Sequence, residues 1–134
     1  MLNNRPIFNF NPQDLGQKRG IGISVLFNTN EVFTQTFTTK EQVKANLINY
    51  ILTNKGERFF DPSFGGDLKA MIFEQDSSFD SVSARLENEI YNYVPNIIIN
   101  SIDLKKYSDQ NLINIAINYS VNNQQDQLSI NLTQ

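Results

Sequence analysis

Residues Leu112–Val121 read LINIAINYSV, and the apolar residues fall at every second position. Ile113, Ile115, Ile117, Tyr119 and Val121 share one face; Leu112, Asn114, Ala116, Asn118 and Ser120 share the other. Period two is the repeat of a β-strand with one buried face. Such a strand needs neighbours to pair with and an apolar layer to lie on. Beyond a turn at NNQQD, Leu128, Ile130 and Leu132 alternate in the same way. Residues 97–105 are β-branched and apolar, but their alternation slips near Asn100, which predicts a bulge or an end of pairing there. The last third of the chain is therefore read as strands.

The rest supplies the layer. In residues 20–27, GIGISVLF, the residues Ile21, Ile23, Val25 and Phe27 alternate as in a half-buried strand. NTNE is a turn, and residues 32–38, VFTQTFT, are the returning strand of a hairpin. Thr38 and Thr39 each stand three residues before a Glu41 or Gln42 partner, the spacing of a capping box. Val43, Leu47, Tyr50, Ile51 and Asn54 then keep helical spacing, widened by Ile48 and Leu52. Gly56, after Lys55, suits a left-handed helix end. Asp61-Pro62-Ser63 reads as a turn, and Asp67 as the cap of a short helix carrying Leu68, Met71 and Ile72. Ser77 or Ser78 opens a third helix with Phe79, Val82, Leu86, Ile90 and Tyr93 on its apolar side, and Pro95 stops it. The expected fold is α+β: an antiparallel sheet from the N-terminal hairpin and the C-terminal strands, packed against about three central helices. Residues 1–19 are expected to form an N-terminal arm and residues 20–134 a single domain.

Composition removes whole classes of chemistry. The 134 residues include no Cys and no His. Thiolate nucleophiles, Ser-His-Asp triads and thiolate- or imidazole-based metal sites are excluded. Net charge is -3, with 11 basic residues scattered along the chain. Nucleic-acid binding needs a basic stripe, which is missing. No apolar run approaches the roughly 20 residues of a membrane helix, and MLNNRPIFNF has no apolar signal-peptide core. A soluble protein without nucleic-acid or membrane partners is expected. No cofactor and no metal are expected either: Asp61, Asp67 and Asp76 match no calcium-loop spacing, and GGDLK is not a phosphate loop.

Residues 53–68, TNKGERFFDPSFGGDL, concentrate glycines, acids and aromatics, as active-site loops do. A glycosidase needs two carboxylates in different environments, one of them kept protonated. Glu57 with Asp61 or Asp67 is the available pair. Arg58 beside Glu57 favours its ionised form, so the residues suit a joint between helices better than an acid catalyst. The phenylalanines Phe59, Phe60, Phe64 and Phe73 read mainly as core, with at least one of the adjacent pair exposed.

In order and spacing, these elements resemble the small baseplate-wedge subunits of contractile phage tails, a lysozyme-like family with a related baseplate subunit in the type VI secretion system. GIGISVLF precedes a hairpin, and EQVKANLINYILTNKGER runs directly into FFDPSFGGDL. A helix ending near a proline and a strand-rich C-terminus follow. The family's Thr-x-x-Gly-Glu-Arg element, then Pro and Phe-Gly, maps onto Thr53, Gly56, Glu57, Arg58, Pro62, Phe64 and Gly65. The similarity covers about residues 20–121. One departure is clear: relatives often carry Glu-Pro-Arg where this chain has Val94-Pro95-Asn96, keeping Pro95 without either charge.

The resemblance implies a non-enzymatic virion subunit of the inner baseplate, assembled in the host cytoplasm. It implies other wedge proteins, the tail sheath protein and tube-side baseplate proteins as partners. It also implies a strand platform that initiates sheath polymerisation. The low-charge, proline-free strands at Leu112–Val121 and residues 127–133 are the candidates, with Ile113, Ile115, Ile117, Tyr119, Leu128, Ile130 and Leu132 setting register. Two other classes stand beside this reading: a small peptidoglycan-cleaving enzyme using Glu57 with Asp61 or Asp67, and a free-standing adaptor without a virion role.

Overall fold

The computed structural model describes residues 20–24, 34–72 and 79–133. Its elements are β1 (Gly22–Ile23), β2 (Gln35–Thr36), α1 (Thr39–Leu52), a 3-10 turn (Ala70–Ile72), α2 (Phe79–Tyr93), β3 (Ile98–Tyr107), a second 3-10 turn (Ser108–Gln110), β4 (Leu112–Val121) and β5 (Gln124–Thr133). The fold is α+β with antiparallel pairing, as expected.

β4 is the middle strand of a three-stranded sheet, ordered β3-β4-β5. Its pairing with β5 runs without a break from Leu112↔Thr133 to Val121↔Gln124. The turn between them is Asn122-Asn123, with φ of 50° and 63°. Both central residues of a tight hairpin turn need positive φ, and Asn tolerates it best after Gly. Pairing with β3 shifts between Ile99 and Ser101, so the slip at Asn100 is a bulge. Ile113, Ile115, Ile117 and Tyr119 are fully buried, and with Leu47, Ile51, Leu86 and Ile90 they form one core between sheet and helices.

α1 begins where one of the two capping boxes puts it. Thr38 is the N-cap: its hydroxyl accepts from the Glu41 N–H at 3.2 Å, and the Glu41 carboxylate accepts from the N–H groups of Thr38 and Phe37. Gln42 is used elsewhere, accepting from the Thr36 hydroxyl and donating to Asn46. In α2, Leu86 and Ile90 are buried, with Phe79, Val82 and Tyr93 packed at the margin. The Ser77 or Ser78 cap, Val25, Phe27 and Phe73 lie outside the described residues, as do residues 1–19.

Four expectations are corrected. Among the described residues, β1 and β2 of the hairpin form their own two-stranded sheet, separate from the C-terminal one. At the described positions of the hairpin's expected apolar face, Ile21 and Ile23 are exposed, because Gly22 faces α1 and the Gln42 side chain fills the space a Cβ would take. α1 ends earlier than expected, at Leu52. Thr53 takes an extended conformation as the C-cap, and its N–H and hydroxyl both donate to the Asn49 carbonyl. Gly56 is therefore not the helix terminus. Finally, the described residues hold two α-helices and not three. Asp67 adopts a left-handed φ of 53°, and its expected helix is the 3-10 turn Ala70–Ile72. Leu68 and Met71 are nonetheless core residues.

Candidate functional site

The stretch from Thr53 to Leu68 is a joint built onto the C-terminal end of α1. The last carbonyls of a helix lack partners within it. Here the Gly66 N–H donates to the Tyr50 carbonyl at 2.9 Å. Gly65 lies against the Thr53 carbonyl with φ of 123°, where an added Cβ would collide with that oxygen. The returning chain thus closes the helix end through its own backbone. From α2, Arg85 donates to the Gly66 carbonyl at 3.1 Å and fixes the joint from the other side.

Phe64 carries the joint into the core. It is buried and meets Tyr50 and Tyr93 edge to face, with centroids at 5.3 and 5.1 Å; the two tyrosines stack at 5.7 Å. Arg58 covers the outer side of Phe64, its guanidinium carbon 3.4 Å from the ring centroid. Gly56, with φ of 87°, donates its N–H to the Pro62 carbonyl at 2.8 Å and closes the loop between them. Asp61 and Phe64 close the expected turn at Pro62-Ser63.

Glu57 is fully exposed. Its carboxylate accepts from the backbone N–H of Asn54 at 3.0 Å and from the Asn54 side chain at 2.7 Å. Those bonds hold its pKa below the usual carboxylate range. A protonated acid catalyst needs the opposite shift. Asp61 accepts from Ser63, and Asp67 sits in a left-handed turn.

Sequence reasoning missed the charged centre beside the joint. Glu89 of α2 accepts from the Tyr50 hydroxyl at 2.6 Å, from Lys55 at 2.8 Å and from Arg85 at 3.2 Å. Burial pushes its carboxyl up, but the bonds from Lys55 and Tyr50 and the charge of Arg85 outweigh that and lower it. Burial, then the Glu89 bond, raises the Tyr50 phenol. The available signal was Arg85 and Glu89 at i, i+4 flanking the apolar positions Leu86 and Ile90.

Pro95 is exposed directly after the helix, and Val94 before it is buried in the core. The first position of the Val94-Pro95-Asn96 element is thus an apolar core contact.

The platform residues fall differently from one another. Ile113, Ile115, Ile117 and Tyr119 are on the middle strand, paired along both sides, with their side chains in the core. Leu128 and Leu132 are also buried, and Ile130 is half-buried. Of the two candidate strands, only β5 has an outer edge without a partner strand among the described residues.

Known proteins are similar to this chain in sequence and in fold. The family described as "Baseplate wedge protein gp25" matches residues 37–126, which include α1, the joint, α2, β3 and β4. The chain belongs to that family. Baseplate wedge protein gp25 of Enterobacteria phage T4 is 38% identical over 84 residues, 59% of this chain and 61% of the phage T4 protein. The matched region thus spans under two thirds of that relative. Two solved structures share the fold. One, described as a candidate tail lysozyme from Geobacter sulfurreducens, has a TM-score of 0.57 at 19% identity, covering 75% of this chain and 95% of that one. The other, the baseplate of the anti-feeding prophage, has a TM-score of 0.50 at 18% identity, covering 79% of this chain and 77% of that one. At such identities the likeness concerns the fold alone.

Proposed function

We propose that the chain is a structural subunit of a contractile-tail baseplate wedge, and that the outer edge of β5, which has no partner strand among the described residues, is where the first sheath strand adds. Its partners in this reading are other wedge proteins, the sheath protein and tube-side baseplate proteins. The observation that carries it is the difference between the two sheet edges. β3 contains the bulge at Asn100 and the charges of Asp103, Lys105 and Lys106, features that protect an edge from pairing. β5 pairs along its whole length without a shift, has no proline or lysine, and carries one acid, Asp126. Asp126 is engaged by Tyr119 and Lys44 and so faces inward. Main-chain bonds along such an edge supply affinity, and alternate side chains supply register.

The scaffold reading also accounts for the joint. Glu57 is an exposed, readily ionised carboxylate spent on Asn54, which supports a structural role over glycoside hydrolysis.

The test places lysines on the solvent face of the edge, as Gln127→Lys with Ser129→Lys and Asn131→Lys, in otherwise intact phage. The expected particles carry baseplates but no sheath. Normal sheathed tails would remove β5 as the platform. Particles whose proteome lacks this chain would favour the free adaptor, and muralytic activity abolished by Glu57→Gln would favour the enzyme.

A further inference from the structure

Phe59 and Phe60 are 91% and 96% exposed, although the loop that bears them is tied down on every side. Gly56 and Pro62 close its base, Asn54 holds Glu57, Arg58 is stacked on Phe64, and Ser63 bonds both Asp61 and the Tyr93 hydroxyl. The two rings meet edge to face at 5.2 Å. A well-anchored loop that presents two full phenyl rings to water gains no folding stability from them. It does gain a rigid apolar knob whose ordering cost is already met before any partner arrives.

We infer that the Phe59–Phe60 knob is an anchor that inserts into an apolar pocket on a different protein of the wedge. The inference rests on the wedge reading above. The size of the knob selects the occupant. One aromatic side chain buries roughly 150–250 Å², so knob packed on knob in a second copy falls well short of the roughly 800 Å² per partner that a stable dimer would need. A patch this small acts as a hot spot inside a larger contact, seated in a pocket of its partner. Charge argues against a lipid surface: Glu57 and Asp61 bracket the knob and would meet anionic headgroups. The same two acids fit a pocket with a polar or basic rim.

The test uses the full chain in assembling phage. A photo-crosslinking benzoylphenylalanine replaces Phe60, and adducts from purified tails are mapped by mass spectrometry. In parallel, Phe59→Ala/Phe60→Ala and the single Phe60→Asn are followed for incorporation into particles and for the melting midpoint of the isolated chain. The inference expects one adduct site, at apolar residues of one other baseplate protein. It expects incorporation to fall roughly tenfold and the midpoint to stay within about 2 °C of wild type. Wild-type incorporation of the variants overturns it, and so do adducts confined to a second copy of this chain or to lipid. If Phe60→Asn leaves incorporation intact while the double variant melts early, the knob is a folding element and the inference fails. If the unmodified chain is absent from particles, the wedge reading itself falls. If the chain is present but gives no adduct, only the knob falls.

Discussion

The guanidinium carbon of Arg58 sits over the Phe64 ring, 3.4 Å from its centroid, at the margin of the aromatic cluster of Phe64, Tyr50 and Tyr93. At an exposed site such a contact contributes about 0.5–1 kcal/mol, and the planar guanidinium stacks in a way that an ammonium does not. Arg58→Ala is predicted to lower stability by about 1 kcal/mol, with Arg58→Lys recovering only part of it. Urea midpoints of the two variants measure this. Equal midpoints for wild type and alanine would show that Arg58 does not stabilise the fold.

Glu89 makes acid stability a readout of the charged centre. Its folded pKa lies below the ordinary glutamate value of about 4.3. A lowered folded pKa means that its contribution is complete above that ordinary value. It is lost as pH falls from there through the folded pKa. Glu89→Gln is therefore predicted to cost about 1 kcal/mol at pH 7, at the low end for charged hydrogen bonds because the site is partly exposed. It should cost progressively less towards pH 3. Asp126 is lowered too: the Gln127 N–H, the Tyr119 hydroxyl and Lys44 outweigh its burial. Glu57 acts in the same direction. Some acid sensitivity must remain in the variant. Denaturation curves at several pH values check the slope, and parallel curves for the two proteins would refute this role.

The parts legible in the sequence are those written in local repeats. β4 was readable to its end residues because period two persists through ten positions. The bulge at Asn100 was readable as a slip in that repeat, and the Thr38–Glu41 cap as a spacing. The parts that were not legible depend on distant chain. Tyr50 and Glu89 are separated by 39 positions, and Lys55 and Glu89 by 34, so no periodicity marks them. The outward turn of Ile21 and Ile23 follows from the packing of Gly22 on Gln42, which alternation alone cannot reveal. The early end of α1 depends on the Thr53 hydroxyl reaching the Asn49 carbonyl, a competition that glycine-based stop signals leave out. In the candidate site, the contacts of Gly56 and Gly65 needed the fold.

Those two glycines separate backbone conformation from collision. Both have positive φ, 87° at Gly56 and 123° at Gly65. A Cβ on Gly56 would meet open space, so Gly56→Ala carries only the conformational penalty, about 1 kcal/mol. A Cβ on Gly65 would strike the Thr53 carbonyl, which is backbone at the end of α1 and cannot rotate away. Relief requires the joint to lift from the helix, with loss of the bond from the Gly66 N–H to the Tyr50 carbonyl and displacement of Phe64 from the core. Gly65→Ala is predicted to cost about 3 kcal/mol, against about 1 kcal/mol for Gly56→Ala. It should also raise amide exchange at Gly66 selectively. Calorimetry orders the two variants, and hydrogen exchange locates the damage. A Gly65→Ala protein as stable as Gly56→Ala would mean that the joint does not hold the end of α1.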